Sequence, residues 1–204
     1  MSRPDVTVVI PTIPPRAHLL QRAIASVYAQ TLTPSTVIVQ ADLDREGSAA
    51  TRNRALAAVQ TEWVAFLDDD DEFLPHHLER LAAEAQTTGA DVVYPLPKVI
   101  GPDGHEIPRR HEWGGGPHFD GLALQRQSYI NVSSLVRTDL ARKVGGFEFH
   151  HSSNGLNDDH GFYLRLYQAG AVFAHVHEPT FIWHHHGHGQ PGIQGNTSGQ
   201  PDRW

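Results

Sequence analysis

The chain has 204 residues, enough for one domain with a real core and too few for two full α/β domains. Its formal charge of −7, with no Lys/Arg block, argues against a nucleic-acid or anionic-membrane surface and points to a small-molecule partner. The absence of cysteine excludes disulfides and thiolate metal sites and fits a reducing compartment.

Met1-Ser-Arg-Pro4 leads straight into a strand pattern, and no apolar run approaches the roughly 18 residues of a spanning helix. A soluble, cytoplasmic protein is expected. Val6-Thr-Val-Val-Ile10 is β-branched and stops at Pro11-Thr-Ile-Pro-Pro15, so it predicts a buried strand that ends in a loop. Leu20, Ile24, Val27 and Tyr28 follow at helical spacing. Thr36–Val39 predicts a second strand, Ala49–Val59 a second helix and Trp63–Leu67 a third strand. This βαβαβ opening requires right-handed crossovers and is the architecture of nucleotide-binding folds. Pro75 is expected to be the first residue of a third helix, with Leu78, Leu81, Ala82 and Ala85 on one face and Gly89 at its end. Asp91–Tyr94 is a fourth strand.

From Gly101 to Gly121 the composition turns to Gly, Pro, His and Arg, which predicts a long loop of the kind that carries function. Ser133–Val136 predicts another strand, followed by a short helix to Val144 and a Gly145-Gly146 turn. Phe162, Leu166 and Ala169 mark a further helix, and Val172–Val176 a last strand. The chain from Gly187 to Trp204 is polar and Gly-rich, either a lid or a disordered tail.

The chemistry concentrates in Asp68-Asp69-Asp70-Asp71, directly after the apolar run Trp63–Leu67. Acidic runs are commonly solvated turns, but the carboxyl end of a buried strand is where α/β folds place ligands. Extended-chain alternation would point Asp68 and Asp70 one way and Asp69 and Asp71 the other. Four crowded carboxylates call for a cation, and their hard oxygens favour Mg²⁺ or Mn²⁺. Asn157, Asp158 and Asp159 are residue types that cap a helix N-terminus, as the following helix needs.

In order along the chain, several segments resemble the family 2 glycosyltransferases of the GT-A fold. They are Val8-Val-Ile-Pro-Thr12, Ala50-Thr-Arg-Asn-Arg-Ala55, Phe66-Leu-Asp-Asp-Asp-Asp71 with Pro75, Val144-Gly-Gly-Phe147 and Asp158-Asp-His-Gly-Phe-Tyr-Leu-Arg165. The resemblance runs from about Val6 to His186. It implies a single α/β domain with a mixed, mainly parallel sheet flanked by helices. Residues 1–186 would form it, with 1–100 the nucleotide-sugar half and 101–186 the acceptor and catalytic half.

The implied activity is inverting hexosyl transfer from a nucleotide-diphosphate sugar, most simply a UDP-sugar, to an acceptor hydroxyl on a glycan, protein or small molecule. By the same resemblance, Asp70 with Asp68 or Asp71 would hold Mn²⁺ or Mg²⁺. Asp69 would meet a ribose hydroxyl, and Pro11, Thr12, Asp42, Arg52 and Asn53 the nucleotide, with Arg16 a candidate for the pyrophosphate. One of the His184–His186 run would complete the metal set, His184 and His186 being the candidates. Asp159 would be the general base, with Asp158 its alternative. The family pair is usually Glu-Asp, so the shorter Asp158 leaves open which of the two reaches the substrate. Gln40-Ala-Asp42 also departs from the two acids that often end the family's second strand. Trp113, Tyr129 and Asn131 are candidates for the acceptor side.

Two rival functions share parts of this pattern. A sugar nucleotidyltransferase would need a Gly-rich basic phosphate loop after the first strand, and Pro11–Arg16 contains no glycine. A non-catalytic sugar- or nucleotide-binding module would have less reason to keep both the acidic run and the acidic pair.

Overall fold

The structure is a computed structural model that describes residues 3–110, 115–148 and 158–185. In chain order its elements are β1 (Val6–Thr12), a 3-10 turn (Pro14–Arg16), α1 (Ala17–Tyr28), β2 (Thr36–Ala41), α2 (Ser48–Ala58), β3 (Trp63–Phe66), β4 (Glu72–Phe73) and α3 (His77–Thr88). There follow β5 (Val92–Ile100), α4 (Gly121–Leu124), β6 (Leu135–Arg137), α5 (Thr138–Lys143), α6 (Asp158–Gln168) and β7 (Phe173–His184). The seven strands form one sheet in the order β2-β1-β3-β6-β5-β7-β4.

Every residue of β1 is buried, as suits a central strand covered on both faces. It runs parallel to β2 and β3, and β5 runs parallel to β7, while β6 and β4 run antiparallel to their neighbours. Period-2 alternation sorts the core into two layers. Val6, Val8 and Ile10 join α1 and α3 on one face, and Val9, Val64 and Phe66 join α2 and α6 on the other. The mixed α/β architecture expected from the sequence is therefore the observed one. Among the described residues no helix is long and apolar enough to cross a membrane.

Four expectations need correction. Pro75 is not in the third helix, which starts at His77. Pro75 stays outside because Leu74 N–H bonds the Thr180 carbonyl and Thr31 N–H bonds the Pro75 carbonyl, prolonging the β4 edge. The fourth strand does not stop at Tyr94 but runs to Ile100. β6 accompanies it only at Val92 and Val93, and register shifts around Leu96 accommodate Pro95 and Pro97. The last strand likewise runs on to His184 beside it. Finally, Asp68–Asp71 is not extended, because the Asp71 N–H closes a turn onto the Asp68 carbonyl at 3.1 Å. Strict alternation therefore fails there.

His77 shows how the β4–β7 corner is packed. It is fully buried, stacked on Phe73 with ring centroids 3.8 Å apart, and 2.8 Å from the Thr180 hydroxyl through Nδ1. Burial pulls its pKa down to about 3. An unfolded imidazole protonates near pH 6.5, so between those values the unfolded chain binds the extra proton. Stability is therefore lost as pH falls through this window, by about 1.4 kcal/mol per pH unit from this one group. Urea denaturation between pH 7.5 and 4.5 is expected to show that slope, and a reduced one in His77→Phe. An unchanged slope in the variant would remove His77 as its source.

Candidate active site

The site lies at the carboxyl ends of β1 and β3, where the acidic turn leaves the sheet. Asp68, Asp70 and Asp71 each bring a carboxylate oxygen within 4.8 Å of the others. Asp71 is buried, and burial, then Asp70 and Asp68, push its carboxyl well above the ordinary range. The His184 backbone N–H donates to Asp71 Oδ1 at 2.9 Å and opposes that shift. Because the chain turns, Asp71 joins Asp68 and Asp70 instead of siding with Asp69.

Asp69 faces β1 and its loop. Its Oδ2 accepts from the Thr12 hydroxyl at 2.7 Å and its Oδ1 from Arg16 Nη1 at 3.0 Å. Burial raises the Asp69 carboxyl, and the Thr12 and Arg16 contacts partly offset this. Arg16 also lies 3.7 Å from Asp70. Burial works against its charge, but Asp70, Asp69 and Asp68 outweigh burial and hold the guanidinium above its ordinary value. Pro11 is buried in β1.

Arg52, on α2, links the two acidic segments. Its side chain is only 6% exposed, and Nη2 reaches Asp68 Oδ1 at 2.6 Å while Nη1 reaches Asp159 Oδ1 at 3.3 Å. The guanidinium carbon lies 5.2 Å from the centre of the Phe147 ring, close enough for a cation–π contact. Phe147 is fixed in turn by edge contact with Phe66 and stacking on Phe162 of α6. Aromatic packing thus sets the height of α6, and with it Asp159, against the acidic turn.

Asn53 clamps α2 to the Gly-Gly-Phe turn. Its Nδ2 donates to the Phe147 carbonyl at 2.7 Å and its Oδ1 accepts from the Phe147 N–H at 2.8 Å. Gly146, at φ 69°, lies so close to Asn53 that a Cβ would collide with it. Asp42 organises the entry to α2, accepting from the N–H groups of Glu46 at 3.0 Å and Gly47 at 2.8 Å. Tyr129, a candidate for the acceptor side, is 4% exposed and its hydroxyl donates to the Asp120 carbonyl at 2.9 Å. The Asn131 carbonyl accepts from Tyr163 at 3.0 Å and Ser134 at 2.8 Å. Its Nδ2 is buried without a hydrogen-bond partner among the described residues.

His184 stands at the end of β7 and is not part of the carboxylate cluster. Its Nε2 donates to Glu72 Oε1 at 2.8 Å. Glu72 and Arg22, neither singled out from the sequence, border the turn; Glu72 at least could have been suspected from following the acidic run directly. Trp113, His186 and the side chain of Asp158 lie outside the described residues, as does 187–204.

This geometry can be set beside known proteins. The sequence model of glycosyl transferase family 2 matches residues 42–145, slightly more than half of the chain. No curated protein matches it. Among solved structures, S. aureus TarS 1-349 in complex with UDP superposes with a TM-score of 0.70 at 17% identity, covering 88% of this chain and 60% of that one. The complex of the same protein with UDP-GlcNAc gives 0.68 at 18% identity, covering 90% and 59%. A third TarS 1-349 structure gives 0.65 at 17%, covering 89% and 60%. At such identities the likeness concerns the fold, and the chain spans about 60% of the length of these neighbours. The family match takes in the β3 exit, the acidic turn and the start of the Gly-Gly-Phe turn, and by it the chain belongs to glycosyl transferase family 2.

Proposed function

We propose that this glycosyltransferase is a metal-dependent, inverting enzyme that takes a hexosyl group from a UDP-sugar and passes it to an acceptor hydroxyl. The bridge from Asp68 through Arg52 to Asp159 carries the proposal, because one guanidinium joins a cation site to a candidate base. The TarS structures, which hold UDP and UDP-GlcNAc, support the choice of uridine.

The residues present fit a divalent ion. Their donor set is all carboxylate oxygen, and burial first, then repulsion from Asp70 and Asp68, raises Asp71, a cost that a cation beside it relieves. Mn²⁺ or Mg²⁺ held by Asp68, Asp70 and Asp71 would supply Lewis acidity at the departing diphosphate. Arg16 adds positive charge on the pyrophosphate side. Each Asp69 oxygen keeps a second lone pair for a ribose hydroxyl after serving Thr12 and Arg16. Pro11, Thr12 and Asp42 line the nucleotide end of this half, residues 1–100.

Asp159 performs the proton step. The acceptor O–H proton passes to its carboxylate as the acceptor oxygen bonds the anomeric carbon, and the bond from that carbon to the diphosphate oxygen breaks on the opposite face. Configuration inverts. Asp158, next to it, is the alternative base, and the acceptor half, 101–186, supplies Asn131 and Trp113.

Melting temperature measured with UDP, GDP, dTDP and CMP, each with and without Mn²⁺, tests the donor site. UDP is expected to stabilise only with Mn²⁺. At 100 times its dissociation constant a ligand adds about 2.7 kcal/mol, or roughly 5–10 °C for a domain of this size. No response to any pair would defeat the proposal.

A further inference from the structure

Glu72 is the first residue of β4 and pairs in register with Ile182 of β7. Its Oε1 accepts from His184 Nε2 at 2.8 Å and lies 3.2 Å from Arg22 Nε. Arg22, on α1, donates through Nη2 to the Asp70 carbonyl at 2.8 Å. His184 gives its backbone N–H to Asp71 Oδ1. The contacts form a closed circuit from α1 to the acidic turn, from the turn to β7, and from β7 through Glu72 back to α1.

The circuit has a mechanical reason. The β4–β7 ladder is only two residue pairs long, Glu72 with Ile182 and Phe73 with Phe181, and it ends where the turn begins. The other edge of β7 is held by β5 up to the Ile100–His184 pair, so a tie on this side sets how closely the end of β7 meets the turn. A shift of the β7 end away from the turn would draw the His184 N–H, the main-chain donor to the buried Asp71 carboxylate among the described residues, out of reach. A buried carboxylate deprived of its hydrogen bond turns toward another partner, which breaks its spacing to Asp68 and Asp70.

We propose that Glu72 and His184 are positioning residues for the cation site, latching the end of β7 onto the acidic turn so that Asp71 stays within reach of Asp68 and Asp70. The inference rests on the proposal that those three carboxylates hold a divalent ion. It gives His184 a role beside the ligands: among the described residues the cluster consists of the three aspartates, and the imidazole is engaged by Glu72. Outer partners of this kind typically govern metal affinity by 10–100-fold.

The test is Mn²⁺ affinity of the whole chain without nucleotide, read from the free-Mn²⁺ signal in electron paramagnetic resonance. Glu72→Ala and His184→Ala are each expected to weaken binding about tenfold. The double variant is expected to be no weaker than either, because both remove one latch. Glu72→Gln keeps a carbonyl acceptor and His184→Gln an amide donor, so both are expected to retain most of the affinity. Should an alanine variant fail to fold, Glu72→Met, which keeps the stem of the side chain, replaces it. Unchanged affinity in Glu72→Ala overturns the latch. Glu72→Gln as weak as Glu72→Ala would reduce the effect to charge, and His184→Gln as weak as His184→Ala would make the imidazole itself a ligand. Absence of Mn²⁺ binding in the wild type defeats the cation site and the latch together, whereas normal wild-type binding with an indifferent Glu72→Ala defeats the latch alone.

Discussion

Asp159→Asn is expected to lower turnover about a thousandfold while leaving UDP affinity in the presence of Mn²⁺ within about twofold of wild type. General base catalysis contributes roughly 10²–10⁴-fold, and an amide is isosteric with the carboxylate but accepts no proton. The donor side should be spared, since Asp159 is joined to the acidic turn through Arg52, and an amide oxygen can still accept from that guanidinium. Steady-state transfer and calorimetric UDP binding on the same preparation check both halves. The paired measurement matters more than the loss. Reduced turnover with weakened UDP binding would mean that the substitution disturbed the bridge, and unchanged turnover would strip Asp159 of its role. The same measurements on Asp158→Asn decide between the neighbours, because the base is the one whose amide abolishes transfer and spares the donor.

Much of the donor half is legible in the sequence because local rules govern it. Val6–Ile10 and Trp63–Phe66 are apolar, β-branched or aromatic, and short, and they become buried parallel strands. The acidic run is legible for the same reason, as charge abruptly following a core strand. Its internal geometry is not. Period-2 alternation holds only for extended chain, and the Asp71 N–H closes a turn that brings Asp71 round to Asp68 and Asp70. Proline misleads in the other direction. Pro95 and Pro97 punctuate the sequence as strand stops, yet β5 continues through them by shifting register along β7. β4, two residues long, falls below any periodic signal.

The site's tertiary wiring is invisible for a different reason. Arg52 and Asp159 are 107 positions apart, and Asn53 and Phe147 are 94 apart. Motif resemblance selected these residues one by one, but nothing in their spacing says which will touch. Resemblance names Arg52 and Asn53 together, but neighbouring positions on a helix point about 100° apart, so one meets the carboxylates and the other the Gly-Gly-Phe turn.

The bridge makes its own prediction, in which metal affinity and catalysis move in opposite directions. Arg52→Ala is expected to tighten Mn²⁺ binding several-fold, because it removes a positive charge 2.6 Å from one of the three candidate ligands. Turnover is nevertheless expected to fall about a hundredfold, since Asp159 loses the contact that orients it and a displacement of about 1 Å at a reacting group is enough for such a loss. Stability should fall by about 2 kcal/mol. That is less than the roughly 3–5 kcal/mol of a fully buried pair, because Asp68 keeps access to water. Saturating Mn²⁺ should restore part of this, by supplying Asp68 with a second positive partner. Arg52→Lys should restore stability more than turnover, because a single ammonium cannot span both carboxylates as the planar fork does. Manganese titration, melting and transfer rates together check the scheme. Weaker Mn²⁺ binding in Arg52→Ala would show that the guanidinium shapes the carboxylate cluster, and its charge would then not be what limits the ion.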